Sequence, residues 1–189
     1  MTNTAKPPPA LMTIDEYLVW DEEREINGRF ELHDGRIVKA NAERLVHAVI
    51  KMKIAAALER SIQRAGLPCQ ALPDGMAVAA GNNSVFEPDA QVYCGAALPG
   101  DTLLVPGPVI VVEVLSPSTR RRDIGIKMTR YFLNESIQHY LMVVIGDRKI
   151  IHHKRMPDGD IAKRIVAGGD LVLDPPGLVL PVDEIFAED

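Results

Sequence analysis

The sequence predicts a mixed β-sheet flanked by helices, an α/β or α+β sandwich with an N-terminal hairpin and a C-terminal β-meander. Three observations predict it. Val109 to Leu115 is an almost unbroken apolar, mostly β-branched run, as expected of a central strand covered on both faces. Residues 43–65 and 120–134 carry apolar side chains at helical spacing. The elements run helix, hairpins, two strands, helix, strand, meander, with no internal repeat. At 189 residues, 47% hydrophobic and 25% charged, the chain suits one domain over 13–189 behind a disordered lead-in, 1–12, containing Pro7-Pro8-Pro9.

The first helix begins at Thr13-Ile14-Asp15-Glu16, which has the S/T-x-x-E capping-box form. Phe30-Glu31-Leu32 and Arg36-Ile37-Val38 flank Asp34-Gly35 and read as a hairpin. In the long helix Val46, Ile50, Ile54, Leu58 and Ile62 repeat every fourth position, and Gly66 with Pro68 stops it. A second hairpin is expected from Cys69–Leu72 and Met76–Ala80 around Pro73-Asp74-Gly75. Pro88 to Tyr93 is a strand entered through a proline, and 94–107 is loop. Ser116-Pro117-Ser118-Thr119 closes the central strand and caps the helix over 120–134. Tyr140 to Ile145 is a further strand, a meander follows to Val166, and Pro181 to Phe186 forms a closing helix.

Several classes are excluded. No apolar run approaches the roughly 18 residues of a membrane helix, and the N-terminus has no signal-peptide pattern, so the expected location is cytoplasmic. No nucleophile elbow, phosphate-binding loop, zinc-finger spacing or dinucleotide fingerprint occurs, so no organic cofactor is expected. Cys69 and Cys94 stand in unrelated contexts and read as reduced and buried. His152-His153 is too isolated to make a metal site.

The net charge of −5 argues at first against nucleic acid, but its distribution does not. Residues 118–165 carry eleven bases against five acids, whereas 166–189 carry six acids and no base. A local positive field matters more to a polyanion than the total does.

Three residues break the core pattern. Glu113 lies inside Val-Ile-Val-Val-Glu-Val-Leu, where a charge is costly unless paired or bound to a metal. Asp89 sits at a strand entry behind a proline. Lys127 shares a helix face with Ile124 and Tyr131 rather than with solvent. A structural Glu113–Lys127 ion pair with Asp89 as an ordinary strand-entry acid would satisfy this pattern. So would a magnesium site, in which two carboxylates on adjacent strands hold a hard cation and the lysine orients water against a phosphodiester. Glu31, alternating with Phe30 and Leu32, is expected to face water. His47 reads as an ordinary helix histidine, and Arg120-Arg121-Arg122 as a solvated patch or a phosphate contact.

Pro88-Asp89, Val111 to Thr119, Asp123, Lys127 and Tyr131 together resemble the Uma-type putative restriction endonuclease family, within the PD-(D/E)XK, or restriction-endonuclease-like, superfamily. The likeness extends through Phe30 to Ile37, the His47 helix and Gln138 to Val144, and covers about 13–186. It implies a restriction-endonuclease-like mixed sheet and a Mg²⁺ ion, replaceable by Mn²⁺, held by Asp89, Glu113 and the Val114 carbonyl. The superfamily places a lysine two residues after the glutamate; here that position is Leu115, and the resemblance implies that Lys127 supplies it from the next helix. Glu31 and His47 also match family positions near the site. The implied activity is hydrolysis of DNA by a homodimer, with Arg120, Arg121, Arg122 and Arg130 on backbone phosphates. The alternative is a catalytically silent nuclease scaffold that binds nucleic acid or protein.

Overall fold

The structure is a computed structural model that describes residues 11–40, 42–115 and 121–187. The motif residues Ser116, Ser118 and Arg120 therefore lie outside the described residues, as do the side chains of Arg121 and Arg122 and residues 1–10 of the expected lead-in. Met12, the last residue of that lead-in, is buried, and its N–H donates to the Gly35 carbonyl.

The central element is β7 (Pro108–Leu115). It lies in a six-stranded sheet of order β10-β9-β8-β7-β6-β3, antiparallel to β6 (Ala90–Cys94) and parallel to β8 (His139–Val144). The meander β9 (Lys149–Arg155) and β10 (Ile161–Val166) completes one edge, and β3 (Cys69–Pro73) forms the other. Strand alternation sorts the side chains of β7. Ile110, Val112 and Val114 pack with Ile54, Leu58 and Ile62 of the long helix α2 (Leu45–Ala65). Val111 and Leu115 face the opposite layer, with Phe86 and with Tyr131 of α3 (Arg121–Tyr131), and Glu113 shares their parity.

α2 ends as predicted, with Gly66 in the left-handed region at φ 61° and its N–H returned to the last turn. Val46, expected in its apolar stripe, is half exposed in the first turn, where its neighbour Leu45 is 81% exposed. α1 (Ile14–Glu23) starts with the capping box, Thr13 and Glu16 each bonding the other's backbone N–H. It packs Tyr17 on Leu32 and Val85 of a second sheet, order β2-β1-β5-β4, built from β1 (Phe30–His33), β2 (Arg36–Lys39), β4 (Val78–Ala79) and β5 (Val85–Phe86).

Two expectations are corrected, and one hairpin is added that the sequence reading did not contain. Cys69–Leu72 and Met76–Ala80 form no hairpin with each other: β3 pairs with β6, while β4 pairs with β5. Pro73-Asp74-Gly75 carries the chain between sheets, and the local turn signal could not distinguish that from a hairpin. Cys69 and Cys94 are directly opposed in the β3–β6 register and form a disulfide, at partly exposed positions. A two-stranded hairpin, β11 (Asp170–Leu173) and β12 (Leu178–Pro181), precedes the short α4 (Val182–Phe186) and covers the α2 side of the core. Its alternation Leu171, Leu173, Leu178, Leu180 was legible but lay hidden in an acidic tail.

Candidate active site

The charged residues gather where β7 outruns β6. The β6–β7 ladder ends with the Ala90–Val112 pair and the Asp89 N–H to Val112 carbonyl bond. The next β7 donor, Val114 N–H, has no β6 backbone opposite it. It donates instead to Asp89 Oδ2 at 2.6 Å. Asp89 is thereby buried at the strand entry, with a side chain doing what a carbonyl does elsewhere in the ladder.

Glu113 projects from β7 toward α3. Lys127 and Tyr131, one helical turn apart on α3, reach the same oxygen: Lys127 Nζ lies 3.1 Å and the Tyr131 hydroxyl 2.8 Å from Glu113 Oε1. Lys127 Nζ also donates to Glu31 Oε1 at 2.8 Å, and lies 5.1 Å from the centre of the Phe86 ring. Glu31 does not face water, contrary to expectation. Its Oε2 meets His33 Nε2 at 2.8 Å, and its Oε1 accepts from the Glu87 N–H at 3.1 Å. Alternation sets Glu31 on the face opposite Leu32, and that face is the one covered by Lys127.

These contacts separate the two glutamates. Burial pushes the Glu113 carboxyl up to about 7, the Lys127 charge pulling against it and Asp89 and Glu31 adding repulsion. Burial would raise Glu31 too, but the His33 bond and the Lys127 charge outweigh it and hold that carboxyl down at about 2. Burial disfavours the Lys127 ammonium, yet its two glutamates keep it above the ordinary lysine range.

The α2 side of Asp89 holds residues that sequence reasoning did not single out. Lys51 is 5% exposed. Its Nζ lies 2.9 Å from Asp89 Oδ1, 2.8 Å from Glu43 Oε1 and 2.6 Å from Asp74 Oδ2. Arg29 joins the same acids, at 3.2 Å from Glu43 and 2.9 Å from Asp74, and reaches Glu87 at 3.0 Å. His47, one turn before Lys51, meets the Val114 carbonyl through Nε2, which is also 3.8 Å from Asp89 Oδ2. Its Nδ1 lies 3.1 Å from Glu43. The signal for Lys51 was available: it interrupts the Ile50–Ile54–Leu58 face as Lys127 interrupts the face of α3.

The structure thus brings Asp89, Glu113, Val114, Lys127, Glu31 and His47 to one end of β7 through a connected set of contacts. Arg130 falls outside that set: its guanidinium lies 2.5 Å from Asp34 in the β1–β2 turn. Among the described residues, Glu43, His47 and Asp89 present ligand atoms within 4.8 Å of one another. No described helix is long and apolar enough to cross a membrane.

A mixed sheet carrying acids and a lysine at the end of its central strand defines the class, a nuclease-like fold. The match to known proteins narrows it. Residues 14–183 fit the family Uma2, described as "Putative restriction endonuclease", and the chain belongs to that family. "Uncharacterized protein slr1290" of Synechocystis sp. (strain ATCC 27184 / PCC 6803 / Kazusa) is 29% identical over 189 residues, 98% of this chain and 97% of the relative. The fold is shared with a crystal structure described as "a putative nuclease belonging to DUF820 from Anabaena variabilis ATCC 29413", at TM-score 0.72 and 15% identity, covering 93% of this chain and 97% of the other.

Proposed function

We propose that this protein is a Mg²⁺- or Mn²⁺-dependent DNA endonuclease that hydrolyses phosphodiester bonds. The observation that carries this reading is the convergence of Asp89, Glu113 and Glu31 with Lys127 at the end of β7. The donor chemistry fits a hard divalent cation. Asp89 and Glu113 offer carboxylate oxygens and Val114 a main-chain carbonyl, while the ammonium groups of Lys51 and Lys127 already lie against these acids. Asp89, Glu113 and the Val114 carbonyl would hold the ion. When bound, the ion polarises the scissile phosphate and lowers the pKa of a coordinated water.

The protein's own residues do the positioning. Tyr131 and Lys127 fix Glu113 Oε1 through two donors. The Val114 N–H fixes Asp89 Oδ2. Lys127 holds a positive charge beside Glu113, where it orients water and offsets charge gathering on the phosphate. Glu31 keeps Lys127 protonated and aimed at Glu113. His47 sits against the Val114 carbonyl and acts on the orientation of that ligand. Bases of the 118–165 segment, among them Arg120, Arg121, Arg122 and Arg130, would meet backbone phosphates, which position DNA without reading its sequence. Cutting both strands would take two such sites, supplied by a symmetric pair of chains.

The test is cleavage of plasmid and duplex oligonucleotide by the purified chain with Mg²⁺, with Mn²⁺ and with EDTA. Cleavage should require the metal. Asp89→Asn, Glu113→Gln and Lys127→Met should each lower it about 100-fold or more while the protein stays folded. Undiminished cleavage in all three variants would reject the assignment. Calorimetry showing no Mg²⁺ or Mn²⁺ binding would favour a silent nuclease scaffold instead.

A further inference from the structure

The α2 side of Asp89 has the composition of a cation site. Glu43, His47 and Asp89 bring one ligand atom each within 4.8 Å of one another, and Asp74 adds a fourth donor close by. A cleft of about 260 Å³, lined by Glu43, Lys51, Asp74 and Asp89, leaves room for an ion with several waters. A cation is already there. The Lys51 ammonium touches three carboxylates at 2.6, 2.8 and 2.9 Å, and it is carried on a side chain only 6% exposed.

We propose that Lys51 is a built-in cation in the place of a second divalent ion, so that the centre takes one metal ion and not two. This rests on the reading of Asp89 and Glu113 as ligands of the first. Charge and hydrogen-bond donors carry the proposal. An ammonium offers three donors, and three acids accept them. Asp89 is divided as a result, with Oδ1 on Lys51 and Oδ2 on the Val114 N–H. A divalent ion at Glu43 would have to enter against that positive charge at close range, because Lys51 Nζ lies 2.8 Å from Glu43 Oε1. Lys51 is held in this place by its own contacts, three carboxylates on one ammonium carried by a side chain only 6% exposed. Lys51 is therefore a positioning residue: it holds Asp89 in place and closes the neighbouring cation position.

The experiment is a titration of the full-length chain with Mn²⁺ alone, read by calorimetry and by the electron spin resonance of free Mn²⁺. The wild type should bind one ion per chain. Lys51→Met should bind two, and adding Glu43→Gln to Lys51→Met should return the count to one. Glu43→Gln in the wild-type background, a milder change, should leave both count and affinity within about twofold. Two ions in the wild type, no gain in folded Lys51→Met, or loss of the wild-type ion in Glu43→Gln would each overturn the proposal. Should Lys51→Met fail to fold, the Glu43→Gln arm decides. No ion in the wild type with a gain of one in Lys51→Met would support the role of Lys51 and count against Asp89 and Glu113 as a metal site.

Discussion

Lys127 and Glu31 stand 96 positions apart in the chain and meet at 2.8 Å. Glu113 takes the same ammonium at 3.1 Å, so a single positive charge is shared by two carboxyl groups from two different sheets. Removing it leaves both acids in a poorly solvated place without their shared partner. Lys127→Met should destabilise the protein by about 3–5 kcal/mol. Glu31→Gln leaves the Lys127–Glu113 pair intact and should cost about 1 kcal/mol. Urea denaturation at pH 8 measures both. Equal losses in the two variants would show that the lysine does not hold the acids together.

Asp89 serves the backbone as well as the proposed ion. Its Oδ2 is the acceptor for the buried Val114 N–H. Asp89→Asn keeps an oxygen for that donor, whereas Asp89→Ala leaves it unsatisfied. The alanine variant should be less stable than the asparagine variant by about 1–3 kcal/mol, while both lose metal-dependent cleavage. Matched denaturation midpoints for the two would mean that the Val114 N–H has found another acceptor.

The contrast between these residues shows what the sequence could and could not reveal. Glu113 and Lys127 were legible because each interrupts an apolar pattern, and a periodic pattern exposes its exceptions. Lys51 does the same on α2, yet a lysine beside many solvated helix residues is a weaker exception to pattern than an acid in a β-branched run. Glu31 was misjudged because alternation gives the face of a strand but not what covers it; that depends on α3, 96 residues away. The central strand, the long helix and the first hairpin follow from local periodicity and turn chemistry. The pairing of β3 with β6 does not, since strand partners are chosen by contacts remote in sequence.

The Cys69–Cys94 disulfide ties edge strand β3 to β6 across 25 positions of chain. Closing a loop of that length in the unfolded chain is worth about 3.5 kcal/mol. Reduction by dithiothreitol, or Cys69→Ala with Cys94→Ala, should lower the melting temperature by roughly 7–14 °C for a chain of this size. An unchanged melting curve after reduction, with free thiols counted before and after, would show that the backbone ladder alone secures the edge.

His139 of β8 and His152 of β9 form a buried pair. His139 Nδ1 lies 2.8 Å from His152 Nε2, and His139 Nε2 lies 2.8 Å from the Pro175 carbonyl in the β11–β12 turn. The carbonyl can only accept, so His139 carries its proton on Nε2 and takes a second bond from the His152 Nε2–H. Both rings are then neutral. A proton on each would set two N–H groups against one another across the 2.8 Å contact. Burial lowers both to about 4, nearby Lys154 adding to the effect in each. The unfolded chain, titrating near the ordinary 6.5, takes up protons that the folded chain refuses between those values. Stability from this pair is therefore complete above pH 6.5 and declines as pH falls toward 4. His152→Gln, which retains a donor for His139, removes one of the two titrations. Its plot of unfolding free energy against pH should be shallower than that of the wild type by roughly 1 kcal/mol per pH unit in that window. Parallel plots for the two proteins would place the acid sensitivity elsewhere.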